Sequence, residues 1–454
     1  MQDWSADAIF YHIYPLGFCG APARNDFSAA PTPRLEKVYT WLDHIAGMGF
    51  NALYLGPLFE SSTHGYDTAD LYNLDRRLGT NATLADLADE LHRRGIRLVL
   101  DGVFNHVGRD FWAFRDVREH GESSPFRDWF AGLRFDRANR RGDPFSYENW
   151  NGYDDLVKLN LGNPEARAHL LGAVEGWIRN FGIDGLRLDA ADAVDLDFQR
   201  ELAAMCRRLR TDFWLMGEIV LGDYRRWVYP EGLDSATNYE AYKGLYSSHN
   251  EHNYFEIAYS LSREFGEGGI YQGMPLYNFV DNHDVNRVAS QLINPAHLTP
   301  LYTLLLCMPG IPSVYYGSEF GVGGVKGKYT DAPLRPAFDL GALAARPPRP
   351  ELPGVISRLI RLRQSQAALR RGGYRQVHVA GEQMAFLREW GEERVLVAVN
   401  AADQPVTLDL AISGLPQAGG WVDLLGGGSQ TRLARSKTRL GLPAYGARVM
   451  GWRG

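Results

Sequence analysis

The amino-acid sequence predicts a (β/α)8 barrel, with a subdomain inserted after its third strand and an all-β domain at its C-terminal end. Three observations carry that prediction. Eight short apolar runs recur, most of them followed by helical patterns. About fifty residues rich in Trp, Phe, Asp and Gly separate the third run from the next helix, too many for an ordinary connection. After residue 372 the helical spacing gives way to alternation of apolar and polar positions.

The eight runs are IFYHIY (9–14), ALYLG (52–56), IRLVLDGV (96–103), GLRLDA (185–190), FWLMGE (213–218), GLDSA (232–236), YNFVDN (277–282) and SVYYG (313–317). Between them LEKVYTWLDHIAGMG, TLADLADELHRRG and PEARAHLLGAVEGWIRNFG carry apolar residues at three and four spacing and end at glycine, as helices do. An open doubly wound sheet is the alternative that this alternation leaves. The barrel is expected over 1–107 and 163–372, the inserted subdomain over 108–162 and a C-terminal β-sandwich over 373–454. The last barrel helix is read in VISRLIRLRQSQAALRR, and the C-terminal strands begin with QMAFLREW, a GEE turn and RVLVAVN. The proline-rich GALAARPPRPELP precedes that helix and reads as part of a long eighth loop.

Composition narrows the function. With 454 residues the chain exceeds what one hydrophobic core usually serves, so more than one domain is expected. A net charge of −6 and a pI near 6.1 supply no basic field for nucleic acid and no acidic tail. Cys19, Cys206 and Cys307 are odd in number and lack metal-ligand spacing, so they read as buried apolar residues. The N-terminus has no signal-peptide pattern, and the longest apolar run, LYTLLLCMPGIPSVYY, is broken by Pro309, Gly310 and Pro312. A soluble cytoplasmic protein with no membrane partner is expected.

Chemistry in such a barrel is built at the C-terminal ends of the strands, and the polar residues fall there repeatedly. Asp101, Asn105 and His106 end the third run, Arg187 and Asp189 the fourth, Glu218 the fifth, and His283 and Asp284 the seventh. Any one of these reads as structural: Asp101 as a loop cap, His106 as a satisfied histidine, Glu218 as a helix-start acid. Together they put three carboxylates and two histidines at one mouth. Arg187 and Asp189, two apart on a strand, share a face, and an inward ion pair is costly unless it is used. Convergent carboxylates without phosphate-type glycines or metal-type cysteines suggest cleavage of a glycosidic bond. Asp189, held ionised by Arg187, is the nucleophile candidate. Glu218, with no cation beside it in sequence and facing the charge of Asp189, is expected to have a raised pKa and to act as the general acid. Adjacent fourth and fifth strands suit the carboxyl separation of a retaining enzyme, about 5 to 5.5 Å.

In this order, DGVFNH, GLRLD, the strand-end GE and FVDNHD resemble the signature segments of the α-amylase superfamily, glycoside hydrolase family thirteen. GFNALYLGPLF, HGYDTADLY, LVKLN and GIPSVYYGSEFG extend the resemblance across nearly the whole chain. It implies that Asp189 is the nucleophile, Glu218 the acid/base and Asp284 a third carboxylate that binds sugar hydroxyls and distorts the ring. It further implies that His106 and His283 hydrogen-bond the same sugar, that Arg187 orients Asp189 and that Tyr66 stacks on the sugar. Asp331 and Arg335, in DAPLRP, resemble an Asp/Arg pair bordering that subsite; a loop salt bridge is their structural reading.

LVKLN is more similar to the segment of the cyclomaltodextrinase, neopullulanase and maltogenic amylase group than to that of starch-degrading amylases, which implies short or cyclic maltooligosaccharides as substrates. Tyr147, Trp150 and Tyr153 offer stacking faces, or serve the insert's own core. That group usually carries a β-domain ahead of the barrel that helps build a dimer; here the first strand starts near residue 9, so monomer and homodimer both stay open. AADAV follows the nucleophile where calcium-dependent amylases have Lys-His, and only Asn105 matches a calcium contact, so no cofactor is required and calcium is not predicted. Long loops after the first and eighth strands suit a ring such as a cyclic maltosyl-maltose with α-1,4 and α-1,6 links. A transglycosylase or isomerase on the same scaffold is the alternative, and a non-catalytic binding protein is the third reading.

Overall fold

The computed structural model describes residues 4–415, 419–426 and 437–453. Parallel strands β1 (Phe10–Ile13), β2 (Ala52–Leu55), β3 (Arg97–Gly102), β4 (Gly185–Leu188), β5 (Trp214–Gly217), β6 (Ser235–Ala236), β7 (Tyr277–Asn278) and β8 (Ile311–Tyr315) pair in the order β6-β5-β4-β3-β2-β1-β8-β7. A further parallel bridge, Thr237 with Tyr277, joins the two edges and closes the barrel. Each strand lies within or beside one of the eight apolar runs.

The two-residue period of the strands sorts their side chains. Inside, Phe10, Ala52, Val99, Trp214, Met216, Tyr277 and Ile311 form one apolar cluster filling the barrel. Outside, residues such as Leu53, Leu98, Leu186 and Leu215 pack with the surrounding helices in the main core. The helices begin and end as their sequences dictate. Asn81–Arg93 (α1) starts on Thr80, whose side chain and that of Thr83 reciprocally cap the first turn. Pro164–Phe181 (α2) has Asn163 at its N-cap, Pro164 in its first turn and Gly182 in the left-handed conformation at its end. Leu196–Leu209 (α3) is capped by Asp195.

Two excursions stand on the C-terminal side of the strands. After β2 comes a hairpin, Phe59–Ser61 with Thr68–Leu74. After β3, strands His106–Gly108, Tyr153–Lys158 and Asn149–Trp150 form a small antiparallel sheet with the helix Trp112–His120 beside it. Gly108 lets the two excursions meet: a Cβ there would sit 2.4 Å from the Asp67 carbonyl oxygen.

Beyond the helix Leu352–Ser365 the chain forms antiparallel strands. Gly373–Val379 (β9), Gln383–Trp390 (β10), Glu393–Asn400 (β11), Gly446–Arg453 and Gly420–Asp423 make one sheet, in that spatial order, and Val406–Ala411 pairs with Lys437–Leu442 in a second. Leu387, Leu396, Leu408, Leu440, Trp421 and Trp452 share a core between them. Of the spans expected above, residues 1–3, 416–418, 427–436 and 454 lie outside the described residues.

Candidate active site

The inward face that is apolar at the foot of the barrel turns polar at its top. Two residues up from Phe10 is His12, from Ala52 Tyr54, from Val99 Asp101, from Gly185 Arg187, and from Met216 Glu218. His12, Tyr54, Asp101 and Arg187 are all almost fully buried there. A buried polar layer of this size is costly unless its members satisfy one another; Tyr54, Asp101 and Arg187 do, while His12 Nε2 has no hydrogen-bond partner.

Arg187 is the node. One amino nitrogen, Nη1, donates to both oxygens of Asp101, at 2.9 and 3.1 Å, and to Asp189 Oδ1 at 2.8 Å. The other, Nη2, lies 2.8 Å from Glu218 Oε2. Asp101 also accepts from Tyr54 at 2.8 Å and from Tyr66 at 3.1 Å. Glu218 has no cation beside it along the chain but meets one through space: strand neighbours at β4 and β5 are remote in sequence, and the guanidinium fork spans both. The expected pull of Arg187 on Asp189 is present, but other influences outweigh it. Burial pushes the Asp189 carboxyl up, Arg187 pulls it down, and the charges of Glu218 and Asp101 push it up again, for a net shift well above the ordinary range. A single cation faces three carboxylates and cannot offset all of them.

Immediately after Asp189 the chain turns through Ala190, whose φ of 43° is in the left-handed region. That turn aims the Ala190 N–H at Glu218 Oε2, 3.2 Å away. Tyr239, just after β6, donates to the other oxygen, Oε1, at 3.4 Å and accepts from Asn282 at 3.4 Å. Asn282 Oδ1 in turn accepts the backbone N–H groups of Asp284 and Val285, which shapes the loop after β7.

On that loop Asp284 Oδ2 lies 2.9 Å from His283 Nε2, and Oδ1 accepts from Arg335 Nη2 at 2.8 Å. The same Arg335 nitrogen donates to Asp331 at 3.0 Å, its Nε donates to the His283 carbonyl, and its guanidinium covers the Tyr14 ring at 4.4 Å. Burial works against the Asp284 charge, but His283 and then Arg335 and Arg187 hold its carboxyl well below the usual range. Asp331 and Arg335 are therefore an ion pair that also grips Asp284, which joins the two readings the sequence had left.

Tyr66 lies with its ring parallel to that of His283, at 5.6 Å, and its hydroxyl bonds His283 Nε2. His106 Nε2 is 3.9 Å from Asp189 Oδ2 and has no hydrogen-bond partner although it is buried. Burial, then the charge of His64, pulls the His106 pKa down to about 3, so the ring is neutral and can donate to a ligand. Trp150 faces His106 at 6.0 Å with near-parallel rings. Tyr147 instead packs on Phe114 and Phe145 inside the insert, and Tyr153 is exposed. His12, Tyr54, Arg187, Glu218, Tyr239 and His283 border one hollow.

The sequence reading missed His12, Tyr14, Tyr54, Tyr239 and Asn282. For His12 and Tyr54 the signal was present, since both follow apolar inward residues by two in the first and second runs. Tyr239 and Asn282 gave none. Among the described residues no three carboxylate, imidazole or thiol side chains come together in metal-binding geometry. The backbone carbonyl of Asn105 accepts from Leu159, and its side-chain amide contacts His106.

The family model for the alpha amylase catalytic domain matches residues 13–333, and that for the maltogenic amylase C-terminal domain matches residues 374–449. A cyclomaltodextrinase of Bacillus sp is 33% identical over 416 residues, which cover 87% of this chain and 73% of that protein. Neopullulanase 2 of Thermoactinomyces vulgaris is 31% identical over 483 residues, covering 100% of this chain and 78% of that one. Among solved structures, the cyclic alpha-maltosyl-(1→6)-maltose hydrolase from Arthrobacter globiformis in complex with cyclic alpha-maltosyl-(1→6)-maltose superimposes with a TM-score of 0.83 at 29% identity, over 99% of each chain.

Proposed function

The chain belongs to the alpha-amylase family, and from that membership we propose that it is a retaining glycoside hydrolase that cleaves α-1,4 and also α-1,6 glucosidic bonds in short linear or cyclic maltooligosaccharides. The observation that carries this reading is the Arg187 fork, which holds Asp189 and Glu218 on its two amino nitrogens. One guanidinium can serve both only if the carboxyls face a common small volume, as the retaining mechanism requires.

In this reading Glu218 is the proton donor and Asp189 the nucleophile. Asp189 Oδ1 is tied to Arg187 while Oδ2 faces His106, so Oδ2 attacks the anomeric carbon. Glu218 delivers its proton to the departing glycosidic oxygen, and the bond from Asp189 to the sugar forms as the bond to the leaving group breaks. The Glu218 carboxylate then takes a proton from water, whose oxygen displaces Asp189 and restores the α configuration. Asp284, held ionised by His283 and Arg335, accepts hydroxyls of the same ring. His106 donates from its unpaired nitrogen, Tyr66 supplies a ring face, and Asp331 keeps Arg335 in place.

The division proposed is a catalytic barrel interrupted by the inserted sheet, followed by the C-terminal strands. No helix among the described residues is long and apolar enough to cross a membrane. Three buried thiols, at Cys19, Cys206 and Cys307, support the cytoplasmic assignment.

The test offers the purified protein starch, linear maltooligosaccharides, cyclodextrins, pullulan, panose and mixed-linkage rings side by side, with the first-formed anomer read by proton NMR. The α-anomer of a shortened or opened maltooligosaccharide is expected. Release of the β-anomer would overturn retention, and oligosaccharides longer than the substrate in place of new reducing ends would assign the chain to the transglycosylases.

A further inference from the structure

The loop that carries Asp284 also carries Arg287, which has no part in the site described above. Its side chain is fully buried and among the largest in the molecule to be so. A buried guanidinium ordinarily faces a carboxylate. This one donates instead to the Tyr316 carbonyl at 2.8 Å, the Ser318 hydroxyl at 3.3 Å and the Leu334 carbonyl at 2.9 Å. Its link to a carboxylate is indirect, through Ser318, whose hydroxyl donates to Asp281 at 2.7 Å. The rings of Tyr315, Tyr316 and Phe338 surround the guanidinium at 4.5, 5.0 and 5.6 Å. A cation buried in such a place is costly unless its geometry is used.

The use lies in where its acceptors sit. Leu334 directly precedes Arg335, and the Tyr315 hydroxyl adds a second donor to the Leu334 carbonyl at 3.1 Å. On the other side of Arg335 the Pro336 carbonyl accepts from the Tyr316 hydroxyl at 2.8 Å. The backbone of Arg335 is thus held on both flanks, while its side chain returns across the gap to the His283 carbonyl at 2.9 Å and the Asp284 carboxylate at 2.8 Å. The loops after β7 and β8 therefore exchange arginines, each sending a guanidinium to a backbone carbonyl of the other. Because a planar fork aims its donors in fixed directions, this exchange sets the spacing of the loops as well as joining them.

We propose that Arg287 is a positioning residue for Asp284, acting at second hand by setting the backbone from which Arg335 grips that carboxylate. The proposal rests on the role given to Asp284 above, and it adds to that machinery a side chain that no ligand reaches.

The test compares wild type with Arg287→Lys, which keeps the charge and loses the fork, with Arg335→Gln and with the double variant. On a maltooligosaccharide, kcat should fall about tenfold in Arg287→Lys with KM within about threefold, because the sugar still binds and only its alignment suffers. Tyr316→Phe, which frees only the Pro336 carbonyl, should lower kcat by about threefold, and it keeps the test open if Arg287→Lys does not fold. In the Arg335→Gln background Arg287→Lys should cost less than about twofold more, since its route to Asp284 is already cut. A crystal structure of Arg287→Lys should show the Arg335 Nη2 to Asp284 Oδ1 distance lengthened from 2.8 Å to beyond about 3.5 Å. Losses in kcat that multiply in the double variant, a lowered melting temperature with wild-type kcat in every variant that folds, or an unmoved Arg335–Asp284 contact would each overturn the proposal. A wild-type protein that hydrolyses none of these sugars would remove the glycosidase reading instead, and the crystallographic distance would still decide whether Arg287 places Asp284.

Discussion

At the scale of single residues, the site is organised by one arginine. Arg187 is 3% exposed and engages Asp101, Asp189 and Glu218 together. Arg187→Met should leave these carboxylates buried without a cation, a loss of about 3–5 kcal/mol of stability at neutral pH. Its stability should recover as pH falls, because protonation removes the uncompensated charges; a melting temperature equally depressed at pH 7 and pH 4.5 would contradict this. Glu218→Gln is sterically matched and removes the transferable proton together with the charge that faces Arg187. Turnover should fall by about two to four orders of magnitude while calorimetric affinity for a maltooligosaccharide stays within a fewfold. Near-normal turnover would exclude Glu218 as the acid.

At the scale of elements, the site depends on loops that meet tightly. The short helix after β1 carries Gly17, where a Cβ would come to 2.0 Å from the Arg335 carbonyl oxygen and 2.9 Å from its Cβ. Gly17→Ala must therefore push away the segment whose Arg335 side chain fixes Asp284, His283 and Asp331. A drop in kcat/KM of at least about tenfold with the far-ultraviolet spectrum unchanged is expected, since misplacement of about 1 Å costs roughly a hundredfold in a positioned site. Wild-type kinetics would show that the eighth loop does not set Asp284.

At the scale of the whole molecule, buried cations face carbonyls instead of carboxylates, and one of them ties the C-terminal sheets to the barrel. Arg388, on β10, donates to the carbonyls of Cys307, Leu369, Gly372 and Gly373, and Arg363 donates to those of Leu306, Met308 and Gly310. Arg388→Leu orphans four acceptors and should cost at least about 3 kcal/mol, seen as a lower denaturant midpoint. Histidines add a pH dependence. His249 lies buried between the Leu245 carbonyl and the Tyr254 hydroxyl, and burial pulls its pKa down to about 3. Its folded pKa is below the unfolded value of about 6.5, so its contribution is complete above that pH and is lost as pH falls toward 3. The stability gap between wild type and His249→Gln should accordingly narrow from pH 7 to pH 5; a gap independent of pH would show that the ring titrates alike in both states.

The fold was legible because each strand's apolar run and each helix's spacing and cap are local properties: Asn163 before Pro164 and Gly182 after Phe181 mark α2 without any knowledge of its neighbours. The charged residues were legible for the same reason, since a barrel's polar inward positions fall at strand ends wherever the chain goes next. What no local pattern contains is which groups share a partner. That Arg187 reaches Glu218 as well as Asp189, that Arg335 grips Asp284, and that Tyr239 stands between Glu218 and Asn282 follow from closure of the barrel and from loops converging over it. By itself the sequence determined the strands, the helices and the candidate carboxylates, because these depend on spacing along the chain. Tertiary structure alone decided how the charges balance, because Coulomb energy and burial depend on distances through space between residues far apart in order.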